Sequence, residues 1–137
     1  MEVERGSKRR VRQSAEKLYA DGQQIWDPRD RWNEYKRTQI EGFVRKHCET
    51  VLATSGRILD AGCGNFNHDW MPQDIVSSDK FLAQARGKKL SVVTDIERLP
   101  FKDQCFDLVI CVASVINYVS AAEALLEFSR TVTRFGH

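Results

Sequence analysis

Asp60, Asp79 and Asp95 each stand at or just past the end of a short apolar run, and two glycines, Gly62 and Gly64, follow the first of them at once. Carboxylates accept hydrogen bonds, and glycines allow φ > 0 and close backbone approach, so the set reads as a polar small-molecule site at a turn. Asp79, after Ile75-Val76-Ser77-Ser78, stands where an acid is expected about 20 residues past a dinucleotide-type glycine turn, suited to the vicinal hydroxyls of a ribose. Lys80 beside it is counted with the same set. Asp95 is suited to an exocyclic amino group of adenine, with Ile96 packing on the ring. Each aspartate alone also fits a turn cap, and it is their ordered recurrence at strand ends that favours a site.

Other residues with chemistry are more scattered. Asn117 and Tyr118 follow a fourth apolar run and are candidates to face a substrate; Trp26, with Tyr19, is a candidate lid. His68, near the glycines, reads either as a general base or as an exposed loop histidine, and His47 and His137 have no role. The four cysteines, Cys48, Cys63, Cys105 and Cys111, show no C-x-x-C spacing. They predict buried, reduced thiols, with neither a metal site nor a disulfide framework.

These groups need a scaffold of strand tips. Four β-type runs are expected, at Arg57 to Leu59, Ile75 to Ser78, Leu90 to Thr94 and Phe106 to Ala113. The last is apolar on both alternating faces beyond Asp107, as in a parallel strand covered from two sides. A long helix is expected from Asp27 as N-cap and Pro28 as first residue, closing at Thr54-Ser55-Gly56. Its stripe, Trp32, Tyr35, Ile40, Phe43, Val44, Cys48, Val51 and Leu52, is expected to form one face against the sheet. A weaker helix is expected over Lys8 to Ala20, ending at Asp21-Gly22, and a last one over Ala121 to Thr133, with Ala124, Leu125, Phe128 and Val132 inward. The fold class is therefore α/β: a Rossmann-like three-layer sandwich, with a short, mostly parallel sheet of about four strands and N-terminal helices.

A length of 137 residues suits one core, here divided into a basic arm and helix at 1–26 and the sheet domain at 27–137. A hydrophobic fraction of 42%, a charged fraction of 29% and a net charge of +2 exclude a disordered or membrane-embedded chain. Met1 to Arg12 has no apolar segment for a secretory signal, and Glu2 and Glu4 argue against a transit peptide, so a cytoplasmic location is expected. Up to Arg57 there are 13 of the 21 basic residues against 9 of the 19 acidic ones. The densest group, Arg5, Lys8, Arg9, Arg10 and Arg12, could meet nucleic-acid phosphates, although a solvated arm is the plainer reading.

The run Asp60-Ala61-Gly62-Cys63-Gly64 resembles motif I of the class I S-adenosylmethionine-dependent methyltransferases, Asp-x-Gly-x-Gly. The segment Asp95 to Phe101 resembles their Asp-x-x-x-Leu-Pro-Phe, and Phe106-Asp107-Leu108-Val109 their following strand. The resemblance covers about Arg57 to Phe128. It implies S-adenosylmethionine as cofactor, with Asp60 and the Gly62, Cys63 and Gly64 backbone at its methionine moiety, Asp79 on the ribose, Asp95 and Ile96 on the adenine, and the Val112 carbonyl near the ammonium. It implies methyl transfer to a small-molecule acceptor or, as an alternative, a non-catalytic cofactor-binding, dimerisation or regulatory domain. A nicotinamide dehydrogenase is disfavoured because Phe66 stands near the place of a third glycine. Asn67 to Pro72 is too broken for the family's next helix, so Arg31, Lys36 or Arg37 is a candidate to meet the cofactor carboxylate. The sequence also stops short of the family's later strands. That predicts a bare fourth-strand edge covered by a homodimer or a partner chain, or else a truncation.

Overall fold

The computed structural model describes residues 13–14, 16–21, 27, 29–65, 70–72, 75–112 and 115–136. Strands β1 (Ile58–Ala61), β2 (Val76–Asp79), β3 (Leu90–Val93) and β4 (Leu108–Ile110) form one sheet in the order β3-β2-β1-β4, with every pairing parallel. The chain builds outward from β1 through β2 to β3, then crosses back to place β4 on the other side of β1. The winding thus reverses at β1, and the crevice beyond its carboxyl end is where such sheets take ligands.

Alternation along β1 explains the layers. Ile58 joins Leu108, Ile110 and Ile75 against Val44, Cys48 and Val51 of helix α1 (Arg31–Leu52). Leu59 and Ala61 point the opposite way, to Ile96, Leu99, Phe106 and Ala124 of helix α3 (Ala121–Thr131). A central strand apolar on both faces must be sandwiched, and α1 and α3 do this. A four-residue helix, α2 (Leu82–Ala85), follows β2, and a 3-10 turn, Val115–Tyr118, precedes α3. Arg130 of α3 holds the loop after β3, donating to the Leu99 and Phe101 carbonyls at 3.0 and 2.8 Å and bridging Glu127 and Asp103 at 2.7 Å each. Among the described residues no helix is long and apolar enough to cross a membrane, and no cluster of His, Cys, Asp and Glu could hold a metal.

Several expected boundaries move. Helix α1 starts at Arg31, because Asp30 accepts the Trp32 N–H at 2.8 Å; Asp27 instead accepts the backbone and guanidinium N–H groups of Arg29. At its far end Ser55 takes the left-handed conformation, with φ 56°. The expected apolar stripe is two faces. At about 100° per residue, Val44, Cys48 and Val51 lie roughly 120° round the helix from Trp32 and Phe43. Trp32, Tyr35 and Phe43 are accordingly exposed, at 62%, 56% and 68%, and on α3 the side chain of Leu125 faces solvent.

The fourth strand starts later than expected because Phe106 bridges Val132 in parallel instead of pairing with β1, and Ala113 at its expected end lies outside the described residues. The Cys105 and Phe106 N–H groups donate to Thr131 O at 2.8 and 3.0 Å, and Thr133 N–H donates to Phe106 O at 2.7 Å. Residues 131–133 therefore occupy the start of the edge expected to be bare. The described N-terminal residues are helical at 13–14 and 16–20 and end at Asp21, whose N–H donates to Lys17 O; the rest of the expected Lys8 to Ala20 helix lies outside the described residues.

The buried core and the outward face of α1 differ sharply in what they contribute. We expect Leu59→Ala, at a wholly buried β1 position, to cost about 2–5 kcal/mol in urea unfolding, and Phe43→Ala to change stability by less than about 0.5 kcal/mol. A large loss at Phe43 would restore it to the core.

Candidate functional site

The turn after β1 is built onto the tip of β2. The Gly62 and Cys63 N–H groups both donate to Ser78 O, at 2.8 and 2.9 Å, and Gly64 N–H donates to Asp79 Oδ2 at 3.0 Å. Gly62 and Gly64 take φ 72° and 57°, and a Cβ on Gly62 would stand 2.8 Å from both methyl carbons of Val115. A side chain is excluded there on conformational and steric grounds together. All three turn amides are thus committed to β2, and what the turn offers a ligand is close approach rather than free N–H donors.

Beside this turn opens a solvent-accessible cleft of about 610 Å³. Gly62, Gly64, Asp79, Lys80, Asp95 and Ile96 line it, as does Tyr118 on the 3-10 turn. Of the residues expected to bind cofactor, Asp60, Cys63 and Val112 do not line it. Asp60 and Cys63 lie buried beneath the turn, and Val112 packs toward α1. Asn117 is exposed, and Trp26, Phe66 and His68 fall outside the described residues. Two of the three aspartates therefore share the cleft. Arg31, Lys36 and Arg37 lie on α1 and do not line it, and Arg37 bridges Glu34 and Glu41 at 2.8 and 3.3 Å.

Asp79 is the best-positioned group. Only 8% exposed, it accepts from Gly64 N–H on one oxygen and from Phe81 N–H on the other, at 3.0 Å each. Burial raises its pKa, and the N–H groups of Phe81, Gly64 and Lys80 oppose that rise. Asp95 Oδ1 accepts from Glu97 N–H at 3.1 Å, while its Oδ2 lies 3.4 Å from Lys80 Nζ. The same ammonium reaches Glu16 at 3.2 Å, so Lys80 joins the loop after β3 to the N-terminal helical segment.

Glu16 and Tyr19 are lining residues on that segment. Gln84 Nε2 donates to Tyr19 O at 2.7 Å, and the Tyr19 ring meets Tyr118 edge-on at 5.8 Å. Burial, Tyr118 and Asp79 raise the Tyr19 pKa. Sequence reasoning named Tyr19 as a lid but missed Glu16 and Gln84, because contacts 64 and 65 residues away leave no local pattern. Phe81, Thr94, Val115 and Val119 complete the lining.

A parallel sheet with a glycine turn and two acids around one cleft at its switch point defines an α/β domain of the nucleoside-binding type. Residues 59–137 match the family described as Methyltransferase domain, and the chain belongs to that family. It is 33% identical over 84 residues to an uncharacterized protein of Methanocaldococcus jannaschii, covering 58% of this chain and 37% of that one. It is also 33% identical over 101 residues to a candidate methyltransferase of Encephalitozoon cuniculi, covering 70% and 47%. The chain thus spans less than half the length of these curated relatives. Magnesium protoporphyrin IX methyltransferase of Synechocystis PCC 6803, solved with bound SAM, superposes with a TM-score of 0.65 at 15% identity, over 88% of this chain and 71% of that one. A Pyrococcus horikoshii protein superposes at 0.61 with 20% identity, over 87% and 59%. These two likenesses establish the Rossmann-like methyltransferase fold.

Beneath the turn, burial pushes the Asp60 carboxyl from 3.8 up to about 6, with Lys88 pulling down and Asp79 adding to the rise. Cys63 and Cys111 are pushed up to about 12 and about 11, chiefly by burial, and stay protonated. Because the folded value of Asp60 lies above the unfolded one, the native chain binds more protons between them, and this group's contribution to stability falls as pH rises from 3.8 to about 6. We expect Asp60→Asn to remove that fall and to gain on the order of 3 kcal/mol over wild type at neutral pH. Paired urea titrations from acid to neutral pH check this; a wild-type minus variant difference that does not change with pH removes the buried charge.

Proposed function

We propose that this cleft binds S-adenosylmethionine and serves methyl transfer to a small-molecule acceptor. The observation that carries the reading is the Asp79 carboxylate, fixed by two backbone N–H groups at the rim of a cleft floored by a turn in which Gly62 has no room for a side chain. The residues present fit the cofactor. Asp79 keeps acceptor capacity for vicinal hydroxyls, Asp95 faces an amino group, Ile96 offers a flat apolar contact, and the space beside Gly62 and Gly64 admits the methionine chain.

When bound, S-adenosylmethionine supplies an electrophilic methyl group on its sulfonium. The protein's part is alignment and exclusion of water. Asp79 sets the ribose and with it the direction of the sulfur. Val115, Tyr118, Val119 and Tyr19 form an apolar wall on the acceptor side, and the N-terminal segment, tethered through Glu16 to Lys80, covers the mouth. In this reading Glu16 and Tyr19, from the stretch 1–26, take part in the site, and the domain at 27–137 frames it.

A second reading is a domain that holds the cofactor without catalysis. A methyl-transfer assay over pooled acceptors separates the two. Asp79→Ala is expected to weaken S-adenosylhomocysteine binding by at least about 1 kcal/mol through lost charge-assisted hydrogen bonds, measured by titration calorimetry. An unchanged affinity removes Asp79 from the site, and no heat with wild type removes the cofactor.

A further inference from the structure

Gln84 does not line the cleft, yet two segments that do line it meet on its side chain. It stands on α2 and is 1% exposed. A carboxamide buried without partners costs free energy that an apolar residue at the same place would not incur. Here Nε2 donates to Tyr19 O at 2.7 Å, across 65 residues of chain. Oε1 lies 3.9 Å from where a Cβ on Gly64 would stand. Tyr19 and Gly64 both line the cleft, so one buried amide sits between the N-terminal segment and the glycine turn.

We infer that Gln84 is a positioning residue of the site: its carboxamide seats Tyr19 against Tyr118, and that pair sets the wall which encloses a ligand held by Asp79. A carbonyl in the last turn of a helix needs a donor from outside it, and Gln84 gives one to Tyr19, just before Asp21. With its backbone held there, the Tyr19 ring meets Tyr118 edge-on at 5.8 Å, a favoured aromatic arrangement. The other tie of the segment, Glu16 to Lys80, joins side chains 38% and 41% exposed, which water and salt screen. The Gln84 donor is buried, where a hydrogen bond meets less competition from water. The residue type follows from this. Leucine or methionine would leave the Tyr19 carbonyl without this donor, and glutamate would bury a charge facing a carbonyl oxygen. The consequence for the cofactor rests on the reading of the cleft proposed above; the seating of Tyr19 does not.

The test is a double-mutant cycle in the whole chain, read by calorimetric titration of S-adenosylhomocysteine and by tyrosine absorbance at alkaline pH. Gln84→Met keeps the volume and removes the donor. It is expected to raise Kd at least about fivefold, the order of one net hydrogen bond, and Tyr19→Ala at least as much. The double variant is expected to match Tyr19→Ala alone, because Gln84 acts through Tyr19. An affinity indifferent to Gln84, or effects that multiply, overturns the inference. The absorbance titration needs no ligand. Burial first, then Tyr118 and Asp79, raise the Tyr19 pKa, so the wild type is expected to show a late-ionising phenol that Tyr19→Phe lacks. Gln84→Met is expected to bring that phenol back toward about 10; a phenol that does not move overturns the seating of Tyr19. If the wild type binds no S-adenosylhomocysteine, the cofactor reading falls and this titration still decides the role of Gln84. Should Gln84→Met not fold, nuclear magnetic resonance of the wild type decides it. The Gln84 side-chain amide is then expected to exchange slowly and to show a nuclear Overhauser effect to Tyr19, and a freely exchanging amide overturns the inference.

Discussion

The join between the tips of β1 and β2 is what the site depends on. A single carbonyl, Ser78 O, receives the N–H groups of Gly62 and Cys63, and one residue later the Asp79 carboxylate receives that of Gly64. Three consecutive amides of the turn are thereby spent on the neighbouring strand. This fixes the turn, and the Asp79 side chain is oriented in part by the same bonds that shape the floor of the cleft. A carboxylate this buried is costly unless hydrogen-bonded, and the turn supplies one partner through Gly64 while Phe81 supplies the other. Binding geometry and local stability therefore rest on the same few atoms.

Around that join the charges are arranged in a chain. Asp95 is joined through Lys80 to Glu16, so the loop after β3 and the N-terminal segment meet across one ammonium at the rim. All three of these side chains are partly exposed, and such bridges are individually weak and salt-sensitive. The firmer attachments, Gln84 to the Tyr19 carbonyl and Tyr19 against Tyr118, hold the segment from its apolar side. By contrast, the Arg130 network is rigid support: it clamps the loop of Leu99 and Phe101 to α3 and so steadies the strand end that presents Asp95 and Ile96.

Buried polarity is concentrated under the turn. Asp60, Cys63 and Cys111 all have their protonated forms favoured by burial, and none of them lines the cleft. The glycine turn thus separates a half-buried acid that lines the cleft, Asp95, from an enclosed one, Asp60, that lies beneath the floor. Asp60 and Asp95 both stand at strand ends, but only Asp95 lines the cleft, because alternation along β1 turns Asp60 to the α1 side of the sheet, with Ile58.

The apolar runs, the glycine pair and the acids at strand ends were legible from the chain by itself, since period-two burial and φ > 0 leave local marks in residue type. They sufficed for an α/β sandwich with a site at its strand tips and for Asp79, Asp95, Ile96 and Tyr118 in the cleft. Helix α1 shows where this ends. Residues three and four apart looked like one stripe, but which arc of a helix meets the sheet depends on rotation about its axis, and packing on Ile58 and Leu108 chose Val44, Cys48 and Val51. Only the tertiary structure could bring Glu16 and Gln84 to the site, return Val132 to the edge of β4, and close the turn's amides onto Ser78, because each joins segments whose separation along the chain carries no pattern. Side-chain chemistry is written locally; partners are decided when distant backbone is brought within hydrogen-bonding reach.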